Sequence, residues 1–335
     1  MRSLVAPLAL VVALTGVLAA CSAAPPTSIT VYSGRSEALV GPLIERFETQ
    51  TGIQAEVRYG STSELAALIL EEGANTPADV YFAQDAGALG AVAAAGHLRT
   101  LPSESLNRVP ERFRSPDNQW VGLSGRARVL VYDSRELTAE ELPASIEALT
   151  DPAWSGRLGW APTNGSFQAF VTAFRLLKGD AAARAWLEGI QANDPVRYDE
   201  NGLIVQAVAD GEIDAGFVNH YYMLQAQAEQ GADFPVRNHF FGAADPGALV
   251  NVAGAGILTP TDAEASARRF IEFMLSNESQ AYFATETFEY PLVSGVAGPE
   301  GLPALDQIHS PDLDLSDLSD LQATLTMLNE TGVLP

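Results

Sequence analysis

The 335-residue sequence predicts a two-lobed α/β protein, each lobe a mostly parallel sheet flanked by helices, with a cleft between the lobes. Three observations predict it. Short β-branched and aromatic runs alternate with amphipathic runs from Ser28 onward, the pattern of repeated βα units. The chain is long enough for two domains of ordinary size. No flexible linker separates them, so strands must cross directly, and residues 124–133 and 248–258 are the candidate crossings. The first lobe is then discontinuous, with lobe 1 at 29–127 plus 253–300 and lobe 2 at 128–252 plus 301–335.

The elements follow in order. Residues 29–32 form a strand. Residues 37–50 set Leu39, Val40, Leu43, Ile44 and Phe47 on one helical face. A strand over 53–59 precedes Ser61 and Glu64, which have capping-box spacing and open a helix through residue 70. Residues 79–82 read as a buried strand and 86–95 as a helix of small residues closed by Gly96. The strong strand 128–132 and the short strand 159–161 come next. Helices follow at 167–177, 181–191 and 203–209, then a strand at 213–218 and a helix at 223–230. Residues 250–258 are a glycine-interrupted strand and 263–275 an amphipathic helix. From Gly298 the chain is rich in Pro, Asp and Leu, and a last helix or two over 315–329 packs on the outside.

The first twenty residues read as an address. Arg2 supplies a positive region, an apolar run extends from Leu4 to Leu18, and Ala19-Ala20-Cys21 ends it on small residues, as in a secretory signal. Cys21, the sole cysteine, excludes an internal disulfide and looks like the lipidated cysteine of bacterial lipoproteins. Residues 21–28 are then a tether, and the lipid is the protein's only membrane attachment. A net charge of −23 with a single lysine, Lys178, argues against nucleic acid as a partner.

In parallel α/β sheets, ligands bind beyond the carboxyl ends of strands, at the following helix N-termini. Polar loops stand at several such places: Ser33-Gly34-Arg35-Ser36, Gln84-Asp85, Thr163-Asn164-Gly165-Ser166, Glu200-Asn201-Gly202 and Asn219-His220-Tyr221-Tyr222. Arg35, Arg126 and Arg128 are candidates for a bidentate clamp on an oxyanion, with structural ion pairing as the competing role for the last two. Adjacent tyrosines after a strand can pack one ring in the core, or turn both phenols into the cleft. A phenol with its ordinary pKa near 10 binds metal at neutral pH only where a strong Lewis acid displaces the proton. Ferric ion is such an acid, and Ca²⁺ and Mg²⁺ are not. His97, His239 and His309 are dispersed without ligand spacing, and His220 is expected to turn away from the tyrosines.

Over essentially its whole mature length the chain resembles the ferric-iron-binding family of substrate-binding proteins of ABC importers. The resemblance rests on residues 29–35 (Ile-Thr-Val-Tyr-Ser-Gly-Arg), 77–80 (Pro-Ala-Asp-Val), 124–129 (Ser-Gly-Arg-Ala-Arg-Val), 162–165 (Pro-Thr-Asn-Gly) and 219–222 (Asn-His-Tyr-Tyr). It implies the type 2 periplasmic-binding fold, with Tyr221 and Tyr222 as iron ligands. It also implies a monomer outside the cytoplasm that delivers Fe³⁺ to an importer permease. The sequence departs from the family in two places. Ser36 stands where many members carry a histidine ligand, and Gln84, beside Asp85, where many carry a glutamate. An exogenous anion (carbonate, phosphate or citrate) can complete the coordination, and Asn164, Gly165, Asn201 and Asn219 look like the family's anion-holding positions.

The missing ligands leave a second reading open, a binding protein of the same fold for an organophosphate, thiamine or a polyamine. A sensory module that presents its ligand to a receptor is a third. No G-x-S-x-G elbow, metalloprotease helix or Ser/His/Asp order supports an exported hydrolase, so no enzymatic activity is expected.

Overall fold

The computed structural model describes residues 28–334. The expected leader at 1–20, the expected lipidation site Cys21 and the expected tether up to Thr27 lie outside the described residues. In chain order the elements are β1 (Ser28–Ser33), α1 (Glu37–Thr51), β2 (Gln54–Tyr59), α2 (Thr62–Glu72), β3 (Val80–Ala83), α3 (Ala86–Ala94), α4 (Ser103–Leu106) and β4 (Val121–Asp133). They continue as β5 (Leu158–Trp160), α5 (Gly165–Lys178), α6 (Asp180–Ala192), β6 (Val196–Arg197), α7 (Asn201–Asp210), β7 (Ala215–Asn219), α8 (Tyr221–Gln230) and β8 (Val236–His239). The chain closes with β9 (Val250–Ile257), α9 (Glu264–Met274), α10 (Asn277–Thr285), β10 (Tyr290–Pro291) and α11 (Leu321–Glu330).

The strands run β2-β1-β3-β9-β4-β7-β5-β6, with β10 and β8 also on β4. β1 is parallel to β2 and β3, and β5 is parallel to β6 and β7. The pairs β3–β9, β9–β4 and β4–β7 are antiparallel. The expectation of mostly parallel sheets therefore holds only within the βα units. Each sheet is mixed because the strands that travel between the lobes run against them.

β4 makes the crossing. Residues 121–127 pair with β9 in the first lobe, and residues 128–133 pair with β7 and β8 in the second. All thirteen residues of β4 are buried, which accounts for its apolar stretch at 129–132. Alternation sends Leu130 and Tyr132 to one face of the second sheet and Val129 and Val131 to the other, where two separate cores form.

In the first lobe α1 buries Val40, Leu43, Ile44 and Phe47 and stops at Gly52, whose φ of 71° is the left-handed conformation that suits glycine. The capping box of α2 is formed: Glu64 N–H donates to Ser61 Oγ at 3.2 Å, and Ser61 N–H donates to Glu64 Oε2 at 3.3 Å.

The C-terminal segment is shared between lobes. Leu315 and Leu318 enter the first core, whereas Met327, Leu328 and Val333 enter the second. The assignment of all of 301–335 to lobe 2 is corrected accordingly, as is that of residues 250–252, which pair with residues 125–127 in the first lobe. A short helical turn at Leu315–Ser319 lies over the first core and α11 over the second, so the apolar side chains of this strap reach whichever core lies beneath them. The strap lies against α3, where a Cβ at Gly87 would stand 2.6 Å from the Leu318 carbonyl oxygen. The small residues of α3 thus make room for a second layer of backbone.

Candidate metal centre in the interlobe cleft

A cavity of about 420 Å³ opens between the lobes. The first lobe contributes Gly34, Ser61, Thr62, Ser63, Gln84, Asp85, Arg126 and Asn251, and the second Thr163, Asn164, Gly165, Ser166, Tyr221 and Tyr222. Leu318 and Leu321 of the C-terminal strap close one side.

The tyrosine pair is placed by the junction of β7 and α8. Asn219 ends the strand and Tyr221 begins the helix, so both phenols reach the cleft wall. The rings lie 4.4 Å apart between centroids at 31°. Tyr221 is buried and Tyr222 half-buried. Burial, and after it the neighbouring Tyr221, pushes the Tyr222 phenol well above its ordinary range, against the pull of the Asn201 amide and Arg126. The pair sets two hard oxygen donors side by side at the cleft wall. Among the described residues no cluster of three His, Cys, Asp or Glu side chains stands ready for a metal.

The other predicted residues divide into three groups. Gln84, Asp85, Arg126, Asn164 and Gly165 line the cavity with the tyrosines. Gln84 N–H donates to Thr62 Oγ1 at 3.0 Å, and its carbonyl accepts from Arg126 Nη2. Asp85 caps α3 through Ala88 N–H at 3.1 Å. Asn164 caps α5, its Oδ1 accepting from Ser166 N–H at 2.9 Å, so the α5 N-terminus faces the cleft. Arg126 is 4% exposed and its Nε has no protein partner.

Asn201, Asn219 and Arg128 stand just behind this layer. Asn201 Nδ2 donates to Ser166 Oγ at 3.3 Å. Asn219 and Arg128 line a small adjoining void with Arg126 and Asn251. Arg128 sits over the rings of Phe167 and Phe170 at 5.6 and 5.3 Å and donates to the Phe217 carbonyl at 3.1 Å. Burial pulls its guanidinium down to about 9. It braces α5 on the sheet.

Arg35 and Ser36 are not brought to the cavity. Ser36 is exposed at the start of α1 and makes no side-chain cap bond. Arg35 points inward, both of its terminal nitrogens engaged by Glu289 at 2.9 and 2.7 Å. A guanidinium already holding a buried carboxylate is not a free anion clamp, and Arg35 bears on the site only through Gln84 Oε1 at 3.4 Å. Sequence reasoning missed Glu289, Asn251 and the cavity-facing role of Ser61, Thr62 and Ser63. A lone Asn in the apolar run of β9 was a usable signal. The three hydroxyl residues were masked by their helix-capping pattern.

Two mixed α/β lobes joined by a crossing strand, with a polar cleft between them, define a two-lobed binding protein of the type 2 periplasmic kind. Residues 63–314 match the family model described as bacterial extracellular solute-binding protein, and the chain belongs to that family. It is 34% identical over 323 residues to the major ferric iron-binding protein of Neisseria meningitidis serogroup B, covering 94% of this chain and 96% of that one. Iron-bound HitA from Pseudomonas aeruginosa superposes with a TM-score of 0.85 at 36% identity, over 92% of this chain and 100% of that one. The Trichodesmium protein IdiA (FutA), in complex with iron and citrate, gives 0.80 at 28% identity, over 91% and 99%.

Proposed function

We propose that the protein captures ferric iron between its lobes and delivers it to an ABC importer, without covalent chemistry. One observation carries this reading: two phenol oxygens on adjacent residues face a cavity that has no other cluster of metal-ligating side chains among the described residues. Relatives bearing ferric iron-binding names along nearly the whole chain support it. Tyr221 and Tyr222 bind Fe³⁺ as phenolates, with Gln84 and Asp85 of the first lobe as further candidate donors. Two phenolates leave Fe³⁺ one positive charge in excess, and Arg126 adds another. An anion such as carbonate, phosphate or citrate offsets both and fills open coordination positions, held at the α5 N-terminus by Asn164 and Gly165. Asn201 and Asn219 support that loop from behind.

The lobes close over the iron by motion about the crossing strands, as in other two-lobed binding proteins. The protein works as a monomer outside the cytoplasm, anchored by lipid on Cys21, and catalyses no reaction.

The test is the visible spectrum of the mature protein on adding ferric citrate. A tyrosinate-to-iron charge-transfer band is expected, lost or shifted in both Tyr221→Phe and Tyr222→Phe. A colourless wild-type protein, with no thermal protection by iron, overturns the reading and directs the search to phosphorylated small molecules.

A further inference from the structure

His220, immediately before the tyrosine pair, is fully buried and makes bonds that the capture of iron does not explain. Its backbone N–H donates to the Ala127 carbonyl at 3.0 Å, and Ala127 N–H donates to its ring Nδ1 at 3.1 Å. Ala127 is the last residue of β4 that pairs with β9, and Arg128 the first that pairs with β7. The imidazole therefore stands in for a backbone acceptor at the residue where the chain passes from one lobe to the other.

The second ring nitrogen faces the Phe288 carbonyl at 2.8 Å. Because Nδ1 accepts a backbone N–H, Nε2 carries the proton and donates to Phe288. Phe288 is held at a φ of 55°, and Glu289 beside it receives Arg35 of the first lobe. The ring also lies against Tyr290 at 4.6 Å, tilted by 35°, and meets Tyr221 edge-on at 5.6 Å. Asn238 Nδ2 holds the His220 carbonyl at 2.8 Å.

We infer that His220 is a positioning residue for iron binding: it locks Tyr221 and Tyr222 to the crossing point of β4 and to the Phe288 carbonyl, so that the phenols keep their register with the first lobe as the cleft closes. A phenylalanine or leucine at this position could fill the volume but could bond neither partner. Asparagine and glutamine divide the two roles. Asparagine can return an acceptor at the Nδ1 place, and glutamine a donor at the Nε2 place.

The inference rests on the ferric reading for its metal readout, so the experiment carries a second readout that needs no metal. Iron affinity is measured for wild type, His220→Leu, His220→Asn and His220→Gln by competition with citrate, alongside the charge-transfer band. His220→Leu is expected to weaken binding by about tenfold or more, the scale for losing a partner that orients a metal ligand, and to shift the band. Asparagine and glutamine are each expected to recover part of both. Should the leucine variant fail to fold, the other two carry the test, each weakened and band-shifted relative to wild type. Folded variants with wild-type affinity and an unmoved band overturn the inference. If wild type itself shows no band, the ferric reading fails. The near-ultraviolet dichroism of the adjacent tyrosine pair, defined against Tyr221→Phe in metal-free protein, then decides: altered by the His220 substitutions, it upholds the positioning of the pair, and unaltered, it overturns it.

Discussion

Glu289 receives both terminal nitrogens of Arg35, at 2.9 and 2.7 Å, across 254 positions of sequence. Both side chains are almost wholly buried. Ser124 Oγ adds a third donor at 2.9 Å. Burial alone pushes the Glu289 carboxyl up, yet Arg35 and then Arg126 overcome it and hold it below the ordinary carboxylate range.

Removing one partner leaves a buried, uncompensated charge. Arg35→Met is expected to destabilise the protein by about 3–5 kcal/mol. The double variant Arg35→Met with Glu289→Leu is expected to recover much of that loss, because neither charge remains. Denaturant unfolding of the three proteins checks it. A double variant no more stable than Arg35→Met would show that shape rather than charge fixes this joint. Either way Gln84 Oε1 loses its Arg35 partner, so a modest loss of iron affinity is expected beside the stability change.

This pair also marks the limit of what the sequence discloses. The βα alternation was legible because each unit buries a local stripe, as with Val40, Leu43, Ile44 and Phe47 on α1. The crossing in β4 was legible from the absence of a linker between the two halves of the chain. The tyrosine pair was legible only through its resemblance to a family, since periodicity alone leaves two adjacent aromatics ambiguous. Arg35 was misread because its loop position suggests an anion clamp, while its partner Glu289 lies far along the chain in a segment with no strong period. The helix α10 and the strands β8 and β10 were missed for a related reason. They are short, and tertiary pairing with β4 or packing on α9 decides them.

His220 makes stability depend on pH in a defined window. Burial holds its imidazole at about 4, below the ordinary value, so the folded state keeps it neutral where the unfolded state has begun to protonate. The depressed folded value means its contribution is complete above pH ~6.5 and is lost as pH falls toward 4. The span corresponds to about 3 kcal/mol. Glu289, Arg126, Tyr221 and Tyr290 face or neighbour this ring, and Glu289 adds its own loss only in the more acidic range. Unfolding free energy followed from pH 7 to 4.5 is expected to fall more steeply for wild type than for His220→Asn. Equal slopes would remove His220 as the source.

The C-terminal strap gives a prediction of opposite sign to helix propensity. Gly90 lies inside α3, where alanine ordinarily stabilises by about 1 kcal/mol. Here a Cβ would stand 2.8 Å from Ser316 Cα and closer still to the Ser316 carbonyl. The strap backbone must move, and with it Leu315 and Leu318 in the first core and Leu318 at the cleft wall. Gly90→Ala is therefore expected to destabilise by about 1–3 kcal/mol and to expose the strap near Ser316 to proteolysis. A variant as stable as wild type, with an uncut strap, would show that α3 and the strap separate freely.

Proton release on iron binding follows from the elevated Tyr222 phenol. Both phenols must give up their protons to act as ligands, and the raised value for Tyr222 keeps its proton bound throughout the neutral range. Each such proton makes apparent affinity fall about tenfold per unit decrease in pH. With both tyrosines as ligands, the expected slope approaches two protons per iron between pH 8 and 6, after correction for the competing chelator's own titration. Either phenylalanine substitution is expected to bring it near one. Calorimetry in buffers of different ionisation enthalpy counts the same protons directly. A wild-type slope near zero would mean that the phenols do not bind the metal, whatever the affinity. A slope near two that survives Tyr222→Phe would assign the second proton to the incoming anion, placing the anion rather than the second phenol in the coordination sphere.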